Sequence, residues 1–162
     1  LLAEEAPHGH MSIGATVFPT AIGQASTWNT SLIQRMAHTI ATETYAVGGR
    51  NGYGPVLDLA RDPRWSRTEE SYGEDPYLVG SMGEAMVKGF QGESPAAKDR
   101  IIATLKHFVA YGVPEGGHNG GSVSVGERAL LQSYLPPFER AVKACILFTK
   151  QGENNLSSKD FS

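Results

Sequence analysis

Three short apolar runs, each followed by a polar loop, constrain the fold of this chain more than any other feature. We predict strands at Leu1–Glu5, Pro55–Ala60 and Ile101–Leu105. The third run is rich in β-branched residues and too short for a reliable helix, which is typical of a buried parallel strand. Each run precedes a segment with helical periodicity, and this alternation predicts parallel βα units in an α/β fold.

Apolar residues recur at helical spacing in the segments that follow the runs. The predicted helices are Asn29–Val47, Asp75–Gly92 and Glu127–Cys145. Asp75 suits an N-cap and Pro76 the first helical position, whereas Pro136 and Pro137 should kink or divide the last helix. We expect the apolar residues of these helices, Leu32 and Val142 among them, to face the sheet.

Composition excludes several classes of partner. The 14 basic and 17 acidic residues give a net charge of -3 and a pI near 5.9, which argues against nucleic acid or an anionic membrane. No apolar stretch approaches the ~20 residues that a membrane span needs, and the first residues do not form a signal peptide. A single cysteine, Cys145, excludes an internal disulfide framework.

Lys106 and His107 directly follow the third run, at a place where α/β folds gather their chemistry. The loops at the C-terminal ends of parallel strands converge, and the strands hold their first residues rigidly. A lysine and a histidine there can hydrogen bond to neighbouring hydroxyls of a sugar. The alternative is that both are surface loop residues without a ligand. Glu5, the last residue of the first run, occupies the same kind of place as Lys106.

The loop 61–70 combines three arginines, three carboxylates and Trp65. Arginine and carboxylate side chains in such a loop can form a bidentate network that orients one guanidinium towards a ligand, or they can simply lock the loop. Trp65 either packs under the loop or faces a sugar ring. In the first loop, His8 and His10 would supply only two metal ligands, fewer than a zinc site needs, so we expect no metal.

Six sequence motifs occur in a fixed order along the chain: His8–Gly9, Ala15–Pro19, Pro55–Arg67, Tyr72–Tyr77, Lys106–Phe108 and Leu135–Phe138. Together they resemble the N-terminal barrel domain of glycoside hydrolase family 3, which includes β-glucosidases and β-xylosidases. The resemblance implies a (β/α)8 TIM-type barrel that is incomplete, because a whole barrel needs ~250 residues. It covers residues 1–145 as a partial barrel domain and leaves residues 146–162 as a divergent polar tail.

The same resemblance implies a substrate-binding role for four residues. Glu5 matches the acidic residue that binds distal hydroxyls of the non-reducing sugar, and Arg67 matches the sugar-binding arginine. Lys106 and His107 match the pair that grips adjacent hydroxyls. The implied ligand is a small β-linked oligosaccharide or glycoside, and no cofactor is implied.

Family hydrolysis is retaining, and its two carboxylates have no counterpart in this sequence. The resemblance places an aspartate nucleophile on a later strand and a separate general acid beyond it. We therefore expect a fragment of a β-glucosidase or β-xylosidase that carries part of the glycone-binding subsite and is inactive alone. His118 does not match the catalytic histidine of one family branch. The alternatives are a non-catalytic sugar-binding module and a structural remnant.

Two positions depart from the family pattern. Ser66 stands where most members have glycine, and the segment after Ala144 runs into a polar sequence rather than an apolar strand. By analogy with the family, the parent protein is expected to be periplasmic or secreted.

Overall fold

The computed structural model describes residues 2–149, with side chains up to residue 144. The strands are β1 (Ala3–Glu5), β2 (Asn51–Val56) and β3 (Ile102–Lys106). The helices are α1 (Ala21–Ala25), α2 (Thr30–Ala46), α3 (Pro76–Gln91), α4 (Glu127–Ala129) and α5 (Pro136–Thr149). Single turns of 3-10 helix lie at Thr68–Glu70 and Glu115–Gly117, and a π-helical turn lies at Leu130–Tyr134.

The three strands form a parallel sheet in the order β1-β2-β3. Glu5 lies opposite Tyr53, and Val56 lies opposite Lys106. The C-terminal ends of β1 and β3 therefore lie at the same end of the sheet, which forms its C-terminal edge. The predicted parallel α/β arrangement is confirmed. Of the predicted polar tail, the residues beyond Thr149 lie outside the described part of the chain.

The bounds predicted for the second strand are wrong. The strand runs over Asn51–Val56. Leu57 still donates its N–H to the Lys106 carbonyl at 2.6 Å, and the chain leaves the sheet after it although Leu59 is buried. Gly52 accounts for part of the error, because a Cβ there would lie 2.8 Å from the Ile101 side chain. Glycines weaken a strand signal in the sequence, while an apolar run is equally compatible with a buried loop.

Helix α3 packs on β2 and β3, α2 packs on α3, and each of the two helices begins at a side-chain cap. Asn29 Oδ1 accepts a hydrogen bond from the Leu32 N–H at 2.9 Å, and Asp75 Oδ1 accepts one from the Leu78 N–H at 2.7 Å. The two helices contact closely at Gly89, where a Cβ would lie 2.4 Å from the Ala37 Cβ. The core between the helices and the sheet includes Ile33, Ile40, Met82, Met86 and Phe90.

The predicted last helix is divided, as Pro136 and Pro137 required. Leu135 closes the π-helical turn through its N–H to the Leu130 carbonyl at 3.0 Å, and α5 starts at Pro136. Leu32 and Val142 were expected to be inward and are instead 40% and 43% exposed. Both lie beside the buried stripe of their helix, which is narrower than the apolar sequence pattern. Within residues 2–149, no helix combines the length and apolar character that a membrane span requires.

Candidate functional site

Glu5 and Lys106 meet at the edge of the sheet although 101 positions separate them. Lys106 Nζ donates to Glu5 Oε2 at 3.1 Å and Oε1 at 3.3 Å. Nζ also lies 5.7 Å from the ring centroid of Tyr53, on the strand between them. The Glu5 side chain is 51% exposed, so its carboxylate remains accessible from solvent.

His107 is held by Asp58, a residue that the sequence reasoning did not single out. Asp58 Oδ2 accepts a hydrogen bond from the His107 backbone N–H at 3.1 Å and lies 2.8 Å from Nδ1 of the ring. The Asp58 side chain is fully buried, whereas that of His107 is 28% exposed. A signal for Asp58 existed: a carboxylate inside an apolar run needs a partner, because an unpaired buried charge is costly.

Arg67 forms a bidentate pair with Glu70. Its Nε and Nη2 donate to the two carboxylate oxygens, each at 2.7 Å. The hydrogen bonds from Arg67 lower the pKa of the Glu70 carboxyl against the opposing effect of burial, and Lys106 and His107 lower it further. The same hydrogen bonds raise the pKa of Arg67. Both groups therefore stay charged at neutral pH, close to the end of β3.

Tyr111 connects Arg67 to His107. Its hydroxyl lies 3.5 Å from Arg67 Nη1, and its ring centroid lies 4.9 Å from that of His107. Trp65 contacts the same ring edge to face, with centroids 5.5 Å apart. Among the described residues, no hydrogen bond or ion pair joins Arg67 directly to Glu5, Lys106 or His107. The four predicted residues thus form two groups at the C-terminal edge of the sheet. Glu5 contacts Lys106 in one group, and Tyr111 contacts both Arg67 and His107 in the other.

Trp65 packs under its loop rather than facing solvent. It is 1% exposed, and its Nε1–H donates to Asn119 Oδ1 at 3.0 Å. Gly117 lies so close to this loop that a Cβ would be 2.5 Å from the Arg64 Cβ. Arg64 in turn pairs with Asp62, and its hydrogen bonds lower the pKa of that carboxyl to about 2. These contacts join the loop 61–70 to the segment that contains Gly117 and Asn119.

His8 and His10 lie in the loop that follows β1. His10 is buried, and Nδ1 of each ring is buried without a hydrogen-bond partner in the described part of the chain. Across residues 2–149, no group of three or more His, Cys, Asp or Glu side chains is placed to hold a metal ion.

Curated relatives of this chain are glycosidases, and the chain covers a small part of each. It is 50% identical over 131 residues to a beta-xylosidase of Formosa agariphila, covering 79% of this chain and 18% of that protein. It is 40% identical over 129 residues to the periplasmic beta-glucosidase of Salmonella typhimurium, covering 80% of this chain and 17% of the relative. The chain thus spans about a fifth of the length of the relatives it matches.

Solved structures give the same result for the fold. A beta-glucosidase from Listeria innocua superposes with a TM-score of 0.82 at 37% identity, over 89% of this chain and 20% of that one. A beta-glucosidase of intestinal bacteria involved in saponin metabolism gives 0.85 at 37% identity, over 88% and 19%. The fold is therefore part of a TIM-type α/β structure. The family model for the glycosyl hydrolase family 3 N-terminal domain matches residues 1–149, and the chain belongs to that family.

Proposed function

We propose that this chain supplies part of the glycone-binding subsite of a retaining β-glycosidase, of the β-glucosidase or β-xylosidase type. The substrate is a glycoside or small oligosaccharide with a terminal non-reducing β-linked sugar. Glu5 accepts hydrogen bonds from sugar hydroxyls, Lys106 and Arg67 donate them, and His107 contacts a hydroxyl beside Lys106. The relatives' activities support this substrate class, as does the crystallisation of the Listeria innocua beta-glucosidase with glucose and with laminaribiose.

The contact between Lys106 and Glu5 is the observation that carries the proposal. A carboxylate can only accept hydrogen bonds and an ammonium can only donate them, whereas a sugar hydroxyl does both. A pair of neighbouring hydroxyls can therefore replace the 3.1 Å contact and satisfy both side chains. The partial exposure of Glu5 gives a sugar access to the pair.

The proposed role of the site is binding without bond cleavage. Retaining hydrolysis needs a nucleophilic carboxylate and a general acid, and we propose that both lie outside these 162 residues. The hydrogen bonds at Glu5, Arg67, Lys106 and His107 then hold the sugar for chemistry performed by other residues.

Sugar binding by the purified chain tests the proposal. Titration with glucose and with xylose, followed by NMR, should show saturable binding that Lys106→Met weakens by roughly tenfold or more, since a hydrogen bond to a charged group contributes about 1.5–3 kcal/mol. Lys98→Met is the matched control, because Lys98 is exposed and lies in the loop that precedes β3. No binding by the unmodified chain, or equal binding by Lys106→Met, would favour a structural role instead.

Hydrolysis assays test the absence of catalysis. The chain alone should not cleave 4-nitrophenyl β-glucoside or β-xyloside above the buffer rate. Turnover that Lys106→Met abolishes would contradict the proposed division between binding and chemistry.

A further inference from the structure

Asp58 is a buried carboxylate whose described hydrogen bonds all go to one residue of the candidate site. It lies two residues after the end of β2, and its side chain has no solvent exposure. Oδ2 contacts both the backbone N–H and Nδ1 of His107, and Oδ1 has no hydrogen-bond partner among the described residues. Burying a carboxylate costs free energy unless it is paired, whereas an apolar side chain would fill the same space without that cost.

The surroundings hold Asp58 in place. Ser71 Oγ donates to its backbone carbonyl at 2.6 Å, and Gly112 lies so close that a Cβ there would be 3.3 Å from the Asp58 Cβ. His107 is held from the other side by the ring of Tyr111. The distance between Asp58 Oδ2 and His107 Nδ1 is therefore fixed by elements on both sides.

The contact determines which ring nitrogen of His107 carries the proton. Asp58 Oδ2 already accepts the backbone N–H of His107, and as an acceptor oxygen it takes the Nδ1–H as donor in the 2.8 Å contact. In the neutral ring, Nε2 is then an acceptor, and it has no hydrogen-bond partner in the described part of the chain. The partial exposure of the side chain leaves it open to a ligand.

We propose that Asp58 is a positioning residue that fixes His107 in the Nδ1–H tautomer, so that neutral His107 accepts a hydrogen bond from a sugar hydroxyl at Nε2. The sugar part of this inference rests on the proposed function, whereas the tautomer does not. Lys106 donates and His107 accepts, and the two are adjacent in the chain. The pair therefore sets the direction of the two hydrogen bonds: one hydroxyl accepts from Lys106, and its neighbour donates to His107.

The tautomer can be measured without any sugar. In the ¹⁵N-labelled chain, correlation of the imidazole nitrogens with the ring protons should show the Nδ1–H form for His107 at a pH where the ring is neutral. Asp58→Ala, which removes both acceptor oxygens, should shift His107 towards the Nε2–H form. Asp58→Asn keeps one acceptor oxygen and should retain Nδ1–H. An Nε2–H ring in the unmodified chain would overturn the proposal, even if no variant folds.

Glucose titration of the same samples tests the sugar contact. Asp58→Ala should weaken glucose binding by about three- to tenfold, in line with the loss of one hydrogen bond between a sugar hydroxyl and the neutral His107 ring. Asp62→Ala is the matched control from the same loop and should stay within about twofold, because its partner Arg64 makes no contact with His107. An unchanged tautomer in folded Asp58→Ala would overturn the positioning role. An Nδ1–H ring in a chain that binds no glucose would reject the proposed function while leaving the tautomer assignment intact.

Discussion

The α2–α3 layer and the edge of the sheet where β1 and β3 end use opposite chemistry within the same βα units. In the layer, Phe90 and Met86 have no solvent exposure, and Gly89 allows α3 to contact Ala37 directly. At the edge, Glu5 and Lys106 stay partly exposed and are joined by charge. The α2–α3 layer is closely packed and apolar, whereas the C-terminal edge consists of partly exposed hydrogen-bonding groups.

The difference separates stability from binding. Apolar burial contributes about 25 cal/mol per Å², while an exposed ion pair contributes only ~0–1 kcal/mol. The layer therefore supports the fold, and the edge residues can be changed at little cost to it. Asp58 is the exception, because it is both buried and polar.

The largest effect is expected for Phe90→Ala in the layer. Phe90 is 0% exposed, and its loss should lower the free energy of unfolding by about 3–5 kcal/mol through lost burial and the cavity left behind. Phe108→Ala at the edge is the matched control, because Phe108 is 73% exposed and should cost about 1 kcal/mol or less. Urea unfolding measures the free energy of unfolding of both variants. Equal losses would contradict the conclusion that the layer, and not the edge, supports the fold.

Gly89→Ala should have the next largest effect. The new Cβ would lie 2.4 Å from both the Ala37 Cβ and the Gln34 carbonyl, so the helices must move apart at a cost of about 1–3 kcal/mol. Gly80→Ala in the same helix is the control, since its Cβ would meet the flexible Arg140 side chain at 3.2 Å. There the gain in helix propensity should offset the crowding. The midpoints of urea unfolding should separate the two variants.

Glu5→Gln at the C-terminal edge should change glucose affinity more than it changes stability. The free energy of unfolding should change by less than about 1 kcal/mol, because the ion pair with Lys106 is partly exposed. Glucose affinity should nevertheless fall, because the amide accepts fewer and weaker hydrogen bonds than the carboxylate. Glu139→Gln is the control: it removes the exposed pair with Lys143 on α5 and should leave glucose affinity unchanged.

The smallest effect concerns the pH dependence of the Arg67–Glu70 pair. The pKa of folded Glu70 lies below the ordinary 4.5, so the pair's stabilisation is fully present above that value and is lost as the pH falls through the folded pKa. The unfolding free energies of the unmodified chain and Glu70→Gln should therefore differ by a constant amount of ~1 kcal/mol or less above about pH 5, and converge in more acidic solution. A difference that grows on acidification would contradict the pairing.

Local sequence signals predicted the helices and the end of β3 well. Asn29 and Asp75 cap their helices by contacts with residues three positions away. Pro136 starts a new helix because a proline has no backbone N–H with which to continue the preceding helical hydrogen bonds. Such interactions depend only on neighbours in the chain. The position of Lys106 at a strand end follows from the same local pattern.

Contacts between distant parts of the chain were harder to predict. Gly52 of β2 lies against the Ile101 side chain, and buried Trp65 hydrogen bonds to Asn119, 54 positions later. Neither distance leaves a periodic signal in the sequence. The apolar run around Asp58 signals that its carboxylate needs a partner, but not that the partner is His107, 49 positions away.

The sequence by itself determined the α/β class, the helices α2, α3 and α5 and the family, because these depend on periodicity, caps and motif order along the chain. Only the tertiary structure decided which side chains meet: Glu5 with Lys106, Arg67 with Tyr111, and Asp58 with His107. The physical reason is that hydrogen bonds and ion pairs act over about 3 Å in space. Which residues come that close depends on strand register and loop packing, and these are properties of the whole fold.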